Sequence, residues 1–128
     1  MTADRGAATV LLVGLCAFVA AIGVGSAALG VLFEAREQAA TAAEAAALAA
    51  AVATYPPTGA GSPQVLAAEY ATRTGARLVS GWCDVDGSMA VRVVAVTVAL
   101  TADLPLFGEM LVGKTARAEF DPGAWLGR

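Results

Sequence analysis

Apolar and polar positions divide the chain into two zones. From Ala7 to Phe33 the sequence AATVLLVGLCAFVAAIGVGSAALGVLF carries no charge, while Asp4 and Arg5 precede it and Glu34, Arg36 and Glu37 follow. As a helix this run is roughly 40 Å long, against ~30 Å of bilayer hydrocarbon. The pattern predicts a transmembrane helix over 7–33, with residues 1–6 as a short cytoplasmic N-terminus. Helix-favouring residues then continue, uninterrupted by Gly or Pro, through EAREQAATAAEAAALAAAVAT (Glu34 to Thr54). Residues 34–55 are therefore expected to extend the same helix as an alanine-rich rod, ~70 Å in all.

The faces of this rod differ. Within the apolar run Gly14, Ala17, Ala21, Gly25 and Ala28 recur three or four apart. That spacing lets a neighbouring helix approach closely in lipid. Ala20, Gly23, Ala27 and Gly30 place small residues on another face too, so a plain alanine-rich composition is the alternative reading. In the outer half Glu34, Glu37, Thr41 and Glu44 share a stripe that Leu48, Val52 and Tyr55 continue at about 100° per residue. This apolar end is the expected docking place for a small globular domain. The opposite face, Ala35, Ala39, Ala43, Ala46 and Ala50, suits either close packing on other helices or mere helix stabilisation.

Beyond the rod, PPTGAG (56–61) reads as a linker. Ser62 is placed as an N-cap with Pro63 at the first helical position, for a short helix to about Thr74 stopped by Gly75. That helix is expected to turn Val65, Leu66 and Tyr70 to the core. Ala76–Cys83 reads as a strand, Asp86-Gly87 as a hairpin turn, and valine-rich Met89–Leu100 as the strongest strand. Thr115–Asp121 alternates, with Ala116, Ala118 and Phe120 on one face. Residues 103–113 fit a short helix or a contact loop equally. The fold class is α+β: a long N-terminal helix packed on a small antiparallel sheet of about three strands, with a short second helix. Residues 62–128 form the small extracytoplasmic domain.

Composition narrows the function. The chain is 58% hydrophobic, an excess explained by the membrane run and the alanines. A net charge of −3 with scattered basic residues argues against nucleic acid. The apolar run is too long for a signal-peptide core, and its flank holds one Arg offset by one Asp. Leu15 before Cys16 does not fit a lipoprotein site. Arginine counts on the two sides nearly tie, and the amino terminus is placed inside. There is no histidine, no G-x-S-x-G elbow and no phosphate loop. Asp84 and Asp86 lack the third acidic ligand and closing Glu of a calcium loop. No catalytic residue, metal, cofactor or small-molecule substrate is expected, and the chain reads as a non-enzyme. Cys16 reads as a small buried apolar residue, remote from Cys83. Cys83 reads as a packed strand residue, or else a partner in an intermolecular disulfide.

The opening DRGAATVLLVGL and the later AREQAATAAEAAALAAA, with Ala43-Glu44-Ala45-Ala46-Ala47-Leu48-Ala49 at its centre, resemble the TadE/TadG-like proteins of the tight adherence (Tad, or Flp) pilus system. The likeness is to the short TadE-like variety of high-GC Gram-positive bacteria. It extends through YATRTGARLVSGWCDVDG, the valine-rich strand and TARAEFDP. The resemblance implies a membrane-anchored minor pilin in a pilus assembly system, with its domain outside the cytoplasmic membrane. Its implied partners are the lipid bilayer and other pilin-like subunits. Two departures stand out. Type IV pilins and the typical TadE proteins carry a Glu a few residues into the apolar run, after a prepilin-peptidase site; this run has no acidic residue between Ala7 and Phe33. Where the family variety often has a second cysteine in the short helix, this chain has Ala67 and Ala68.

Overall fold

The computed structural model describes residues 2–82 and 84–127. Helix α1 runs unbroken over Thr2–Ala53, 52 residues or about 78 Å. A short 3-10 turn at Pro56–Thr58 ends in Gly59, and helix α2 follows at Pro63–Arg73. Strands β1 (Arg77–Trp82), β2 (Arg92–Leu104) and β3 (Gly108–Phe120) form an antiparallel sheet in sequence order, closed by the short helix α3 at Pro122–Trp125. The α+β layout expected from the sequence is the observed one.

The core lies where the sheet crosses the outer half of α1. Side chains at alternate positions of β2, Val94, Val96, Val98 and Leu100, face α1 together with Val112, Ala118 and Phe120 of β3. They meet Ala35, Ala39, Ala43, Ala46 and Ala50, of which the last four have no exposed surface at all. Alanine leaves the helix backbone close to the sheet, and the valine methyls fill the remaining depth. Two expectations are thereby corrected. The alanine face is covered by the chain's own domain, so it is not a free surface for another helix. Leu48, at 60% exposure, and Val52 stay outside the core and with Tyr70 of α2 line an open cleft instead. At about 100° per residue they project from the far side of the helix. Tyr55 does enter the core, because α1 stops at Ala53 and an extended Tyr55 (φ −100°, ψ 104°) turns back over the helix end.

Helix α2 packs on α1 by the same rule. Its buried residues are Pro63, Ala67 and Ala71. The expected core residues fall elsewhere: Val65 is 64% exposed, Tyr70 is exposed and Leu66 half-buried. Alanines four apart on both helices permit a close approach that the larger side chains would block. Ser62 stands at the N-cap with Pro63 after it, but its side chain makes no cap hydrogen bond. The far end is tied down. Gln38 Nε2 donates to the Thr74 carbonyl at 2.8 Å, and Gly75 follows with φ +78°. The positive φ is what calls for glycine here; a Cβ at Gly75 would sit 2.8 Å from that same Nε2, which could move aside at the cost of its bond to Thr74.

Strand boundaries differ from the sequence reading in two places. Asp86-Gly87 does not form a tight hairpin turn. Trp82 pairs with Ala95, so the connection from β1 to β2 is a long loop that crosses the end of α1. Strand β1 also carries a bulge between Leu78 and Ser80. Residues 103–113 are neither helix nor contact loop: they finish β2, turn, and begin β3, with Leu104 paired to Gly108. In this turn Pro105 precedes Leu106 at φ +65°, and the Phe107 N–H donates to the Leu104 carbonyl at 3.1 Å. That is the pattern of a type II turn.

If the alanine stripe is the core, Ala43→Leu or Ala46→Leu should cost about 1–3 kcal/mol by overpacking. Leu48→Ala, on the exposed side, should stay within about 0.5 kcal/mol of the parent. Thermal unfolding of the detergent-solubilised chain measures both; equal effects at Ala46 and Leu48 would contradict this placement of the core.

Candidate functional site

Among the described residues the fold builds a set of surfaces along α1. The first half of that helix stands free. Asp4 to Gly23 is exposed throughout, and the most apolar 18-residue window of α1 has a mean hydropathy of 2.5 with none of it buried. Length and composition make α1 a candidate membrane span. Of the small residues expected to pack in lipid, Gly14, Ala17 and Ala21 lie on this bare part. Gly25 is half-buried and Ala28 is buried. At about 100° per residue all five fall on the same line as Ala35, Ala39, Ala43, Ala46 and Ala50. A line of small residues, broken at Leu32, thus runs from Gly14 to Ala50, its upper part covered by the sheet and Gly14, Ala17 and Ala21 left exposed. Cys16 is free and lies on the bare half of α1, inside the apolar run. Cys83 lies outside the described residues, and so do both readings of it.

At the other end of α1 a polar junction joins helix, loop and sheet. The Arg92 guanidinium donates to the carbonyls of Thr54, Asp86, Ser88 and Ala90. Its Cζ lies 5.7 Å above the centre of the Tyr55 ring, close enough for a cation–π contact. The Thr54 carbonyl also accepts from the Asp86 N–H at 2.9 Å, so one orphan carbonyl of the helix end is met twice. Asp86 turns its carboxylate onto Ser88, accepting from the backbone N–H at 2.8 Å and from the hydroxyl at 2.7 Å. These bonds, the hydroxyl's first and with Arg92 adding a smaller attraction, hold the Asp86 carboxyl below its ordinary value. Tyr55 donates its hydroxyl to Met89 Sδ at 3.4 Å and packs against Phe120 and Trp125 at 6.2 and 6.4 Å between ring centres. Asp121 caps α3 by accepting from Gly123 and Ala124.

Chemistry that requires clustered ligands finds none among the described residues, where no three of His, Cys, Asp and Glu come together. The open clefts are structural seams. One, between α1 and β3, is lined by Glu44, Lys114 and Arg117 beside Ala40 and Ala43. Another, between α2 and β1, is lined by Gln64, Leu78, Val79 and Ser80. Sequence reasoning overlooked Arg92 because a lone arginine in a valine-rich strand carries no local signal. It also overlooked the turn at Leu106 and Phe107, where Pro105 and Gly108 were visible as turn punctuation around two apolar residues. Compared with known protein families, curated proteins and solved structures, the chain matches none.

Arg92→Ala should destabilise the fold by about 2 kcal/mol, the scale for hydrogen bonds to a charged group. Arg92→Lys should recover only part of this, since an ammonium cannot hold the same fork. Both are read from denaturant unfolding. Asp86 has a folded-state pKa below its unfolded value. Its contribution is thus full above the unfolded pKa and lost as pH falls through the lower folded one. Melting curves of the parent and Asp86→Ala should therefore differ near neutral pH and converge in acid; a constant gap would contradict the assignment.

Proposed function

We propose that this chain is a single-pass, pilin-like structural subunit of the TadE type, anchored in the cytoplasmic membrane with its amino terminus inside and its small domain outside. The observation that carries the reading is the unequal occupation of one stripe. Along α1 the small residues from Ala28 upward are covered by the chain's own sheet, whereas Gly14, Ala17 and Ala21 are bare. A stripe that accommodates a close neighbour above is built to accommodate one below, and in lipid that neighbour is another apolar helix. The resemblance of DRGAATVLLVGL and AREQAATAAEAAALAAA to TadE-like proteins supplies the class of neighbour: pilin-like subunits of a tight adherence pilus assembly system. The role is structural rather than enzymatic.

A second reading has an observation of its own. No acidic residue lies between Ala7 and Phe33, so the run lacks the charge with which pilin helices pair in a filament. That favours a bitopic envelope scaffold that stays in the bilayer and recruits partners without entering the fibre.

Gly14→Ile with Ala21→Ile should abolish crosslinking to pilin-like neighbours while leaving resistance to alkaline extraction from membranes unchanged. Undiminished crosslinking would remove the packing proposal. Mass spectrometry of the mature amino terminus separates the two readings. A start at Ala7 means prepilin processing and entry into the filament system; a chain that is intact or lacks only Met1 is a permanent anchor.

A further inference from the structure

The sheet reaches further down α1 than its role as a cover for the alanine stripe requires. Phe120 lies beside Tyr55 at the top, and Gly108 is twelve residues lower on β3. At ~3.3 Å per strand residue that is about 40 Å, or about 26 residues of helix, which brings Gly108 level with Leu29. An independent tie agrees. Lys114–Arg117 share a cleft with Ala40, Ala43 and Glu44, and six more strand residues from Lys114, about 20 Å, again end near Leu29. Burial says the same. Ala28 is buried, and Val31 and Leu32 pack against the core cluster. Helix α2 ends beside Gln38, and β1 begins opposite Ala99. Among the described residues, only the lower end of the β2–β3 hairpin is left to cover them.

The turn of this hairpin, Pro105–Phe107, therefore lies about 6 Å below Phe33, inside the apolar zone of α1. Its side chains match that zone. Leu106 is 86% exposed and Phe107 72%, and Met110 and Leu111 are exposed on the strand above. Charge begins one step up: Asp103 and Glu109 sit directly opposite each other, both exposed, about level with Val31 at the upper edge of the apolar zone and within about one helical turn of Glu34. Leu106 holds a positive φ, a position that glycine or asparagine fills with less strain. A bulky apolar residue there is 86% exposed and outside the core cluster of the described residues. The turn also satisfies part of its own backbone, through Phe107 N–H to the Leu104 carbonyl, as a polar chain entering an apolar medium must.

We infer that the β2–β3 turn seats in the lipid interface beside α1, as a second membrane contact made by Leu106 and Phe107. This rests on α1 spanning the bilayer, and it names what the domain does at the membrane surface: it lies on it rather than standing clear. An apolar turn of this depth, with an aromatic at the tip and charges above, is suited to the boundary between headgroups and acyl chains. The occupant is lipid because the patch continues the apolar surface of α1 at the same level.

The test uses the full chain in phosphatidylcholine vesicles whose acyl chains carry bromines either near the headgroup or near the bilayer centre. Phe107→Trp and Val19→Trp are compared, with emission from the native tryptophans subtracted using the unaltered chain. The Phe107→Trp emission is expected to be quenched mainly by the shallow bromines and the Val19→Trp emission mainly by the deep ones. Adding Leu106→Asp, tolerated at this backbone conformation and at an exposed site, should reduce the shallow quenching. Quenched Val19→Trp with unquenched Phe107→Trp overturns the inference and leaves the span intact. So does a tip emission that shifts with protein concentration and ignores bromine, the sign of a second copy on the turn. If neither tryptophan is quenched, the spanning reading itself fails and the inference falls with it.

Discussion

Contact between the alanine stripe of α1 and the valine face of the sheet is the constraint on which the other features depend. A three-stranded sheet with one apolar face and an eleven-residue helix cannot enclose a core between them at this size. The missing wall is α1. Because that wall is alanine at Ala39, Ala43, Ala46 and Ala50, the backbone of β2 comes close, and Val94, Val96 and Val98 fill the gap without long side chains on the helix. Helix α2 repeats the arrangement with Ala67 and Ala71. Larger residues on α1 would push both neighbours outward and open voids along the sheet.

The same contact explains what could be read in the sequence and what could not. The rod, the second helix and all three strands show in the periodicity, apart from the 108–114 half of β3, since runs of helix formers and β-branched residues announce themselves whatever they pack against. The side that is buried does not. Ranking by hydrophobicity favours Leu48, Val52, Val65 and Tyr70 over alanine, and that ranking selects the wrong faces of both helices, because burial here follows closeness of approach rather than side-chain size. Tyr55 reached the core although Leu48 and Val52 on the same stripe did not, since the helix had already ended. The turn at Pro105 was obscured by its apolar residues: Leu106 and Phe107 look like interior positions and are among the most exposed in the chain.

Polar groups are concentrated at two places where elements join. Arg92 gathers the end of α1, the long loop and the start of β2, and Asp86 shapes the loop that Arg92 holds. Gln38 fastens the end of α2 to the middle of α1. These side chains have a structural task, satisfying carbonyls that a helix end or a loop would otherwise leave open. The large apolar surfaces left exposed are the bare half of α1 and the tip of the hairpin.

A wall of repeated alanines has one further property. Ala39, Ala43, Ala46 and Ala50 are interchangeable, so sliding the sheet by one turn of the helix, 5.4 Å, would set each valine against another alanine of the same shape. The stripe works as a smooth rail and by itself specifies no stopping point. The stops are at its ends: Tyr55 and Arg92 clasp the top of the sheet, and Gln38 pins the corner at Thr74 and Gly75. The level at which the hairpin tip meets the lower half of α1 is thus fixed by a few polar and aromatic contacts above it, Gln38 about 14 Å away and Tyr55 about 40 Å away, and not by the repeated alanines.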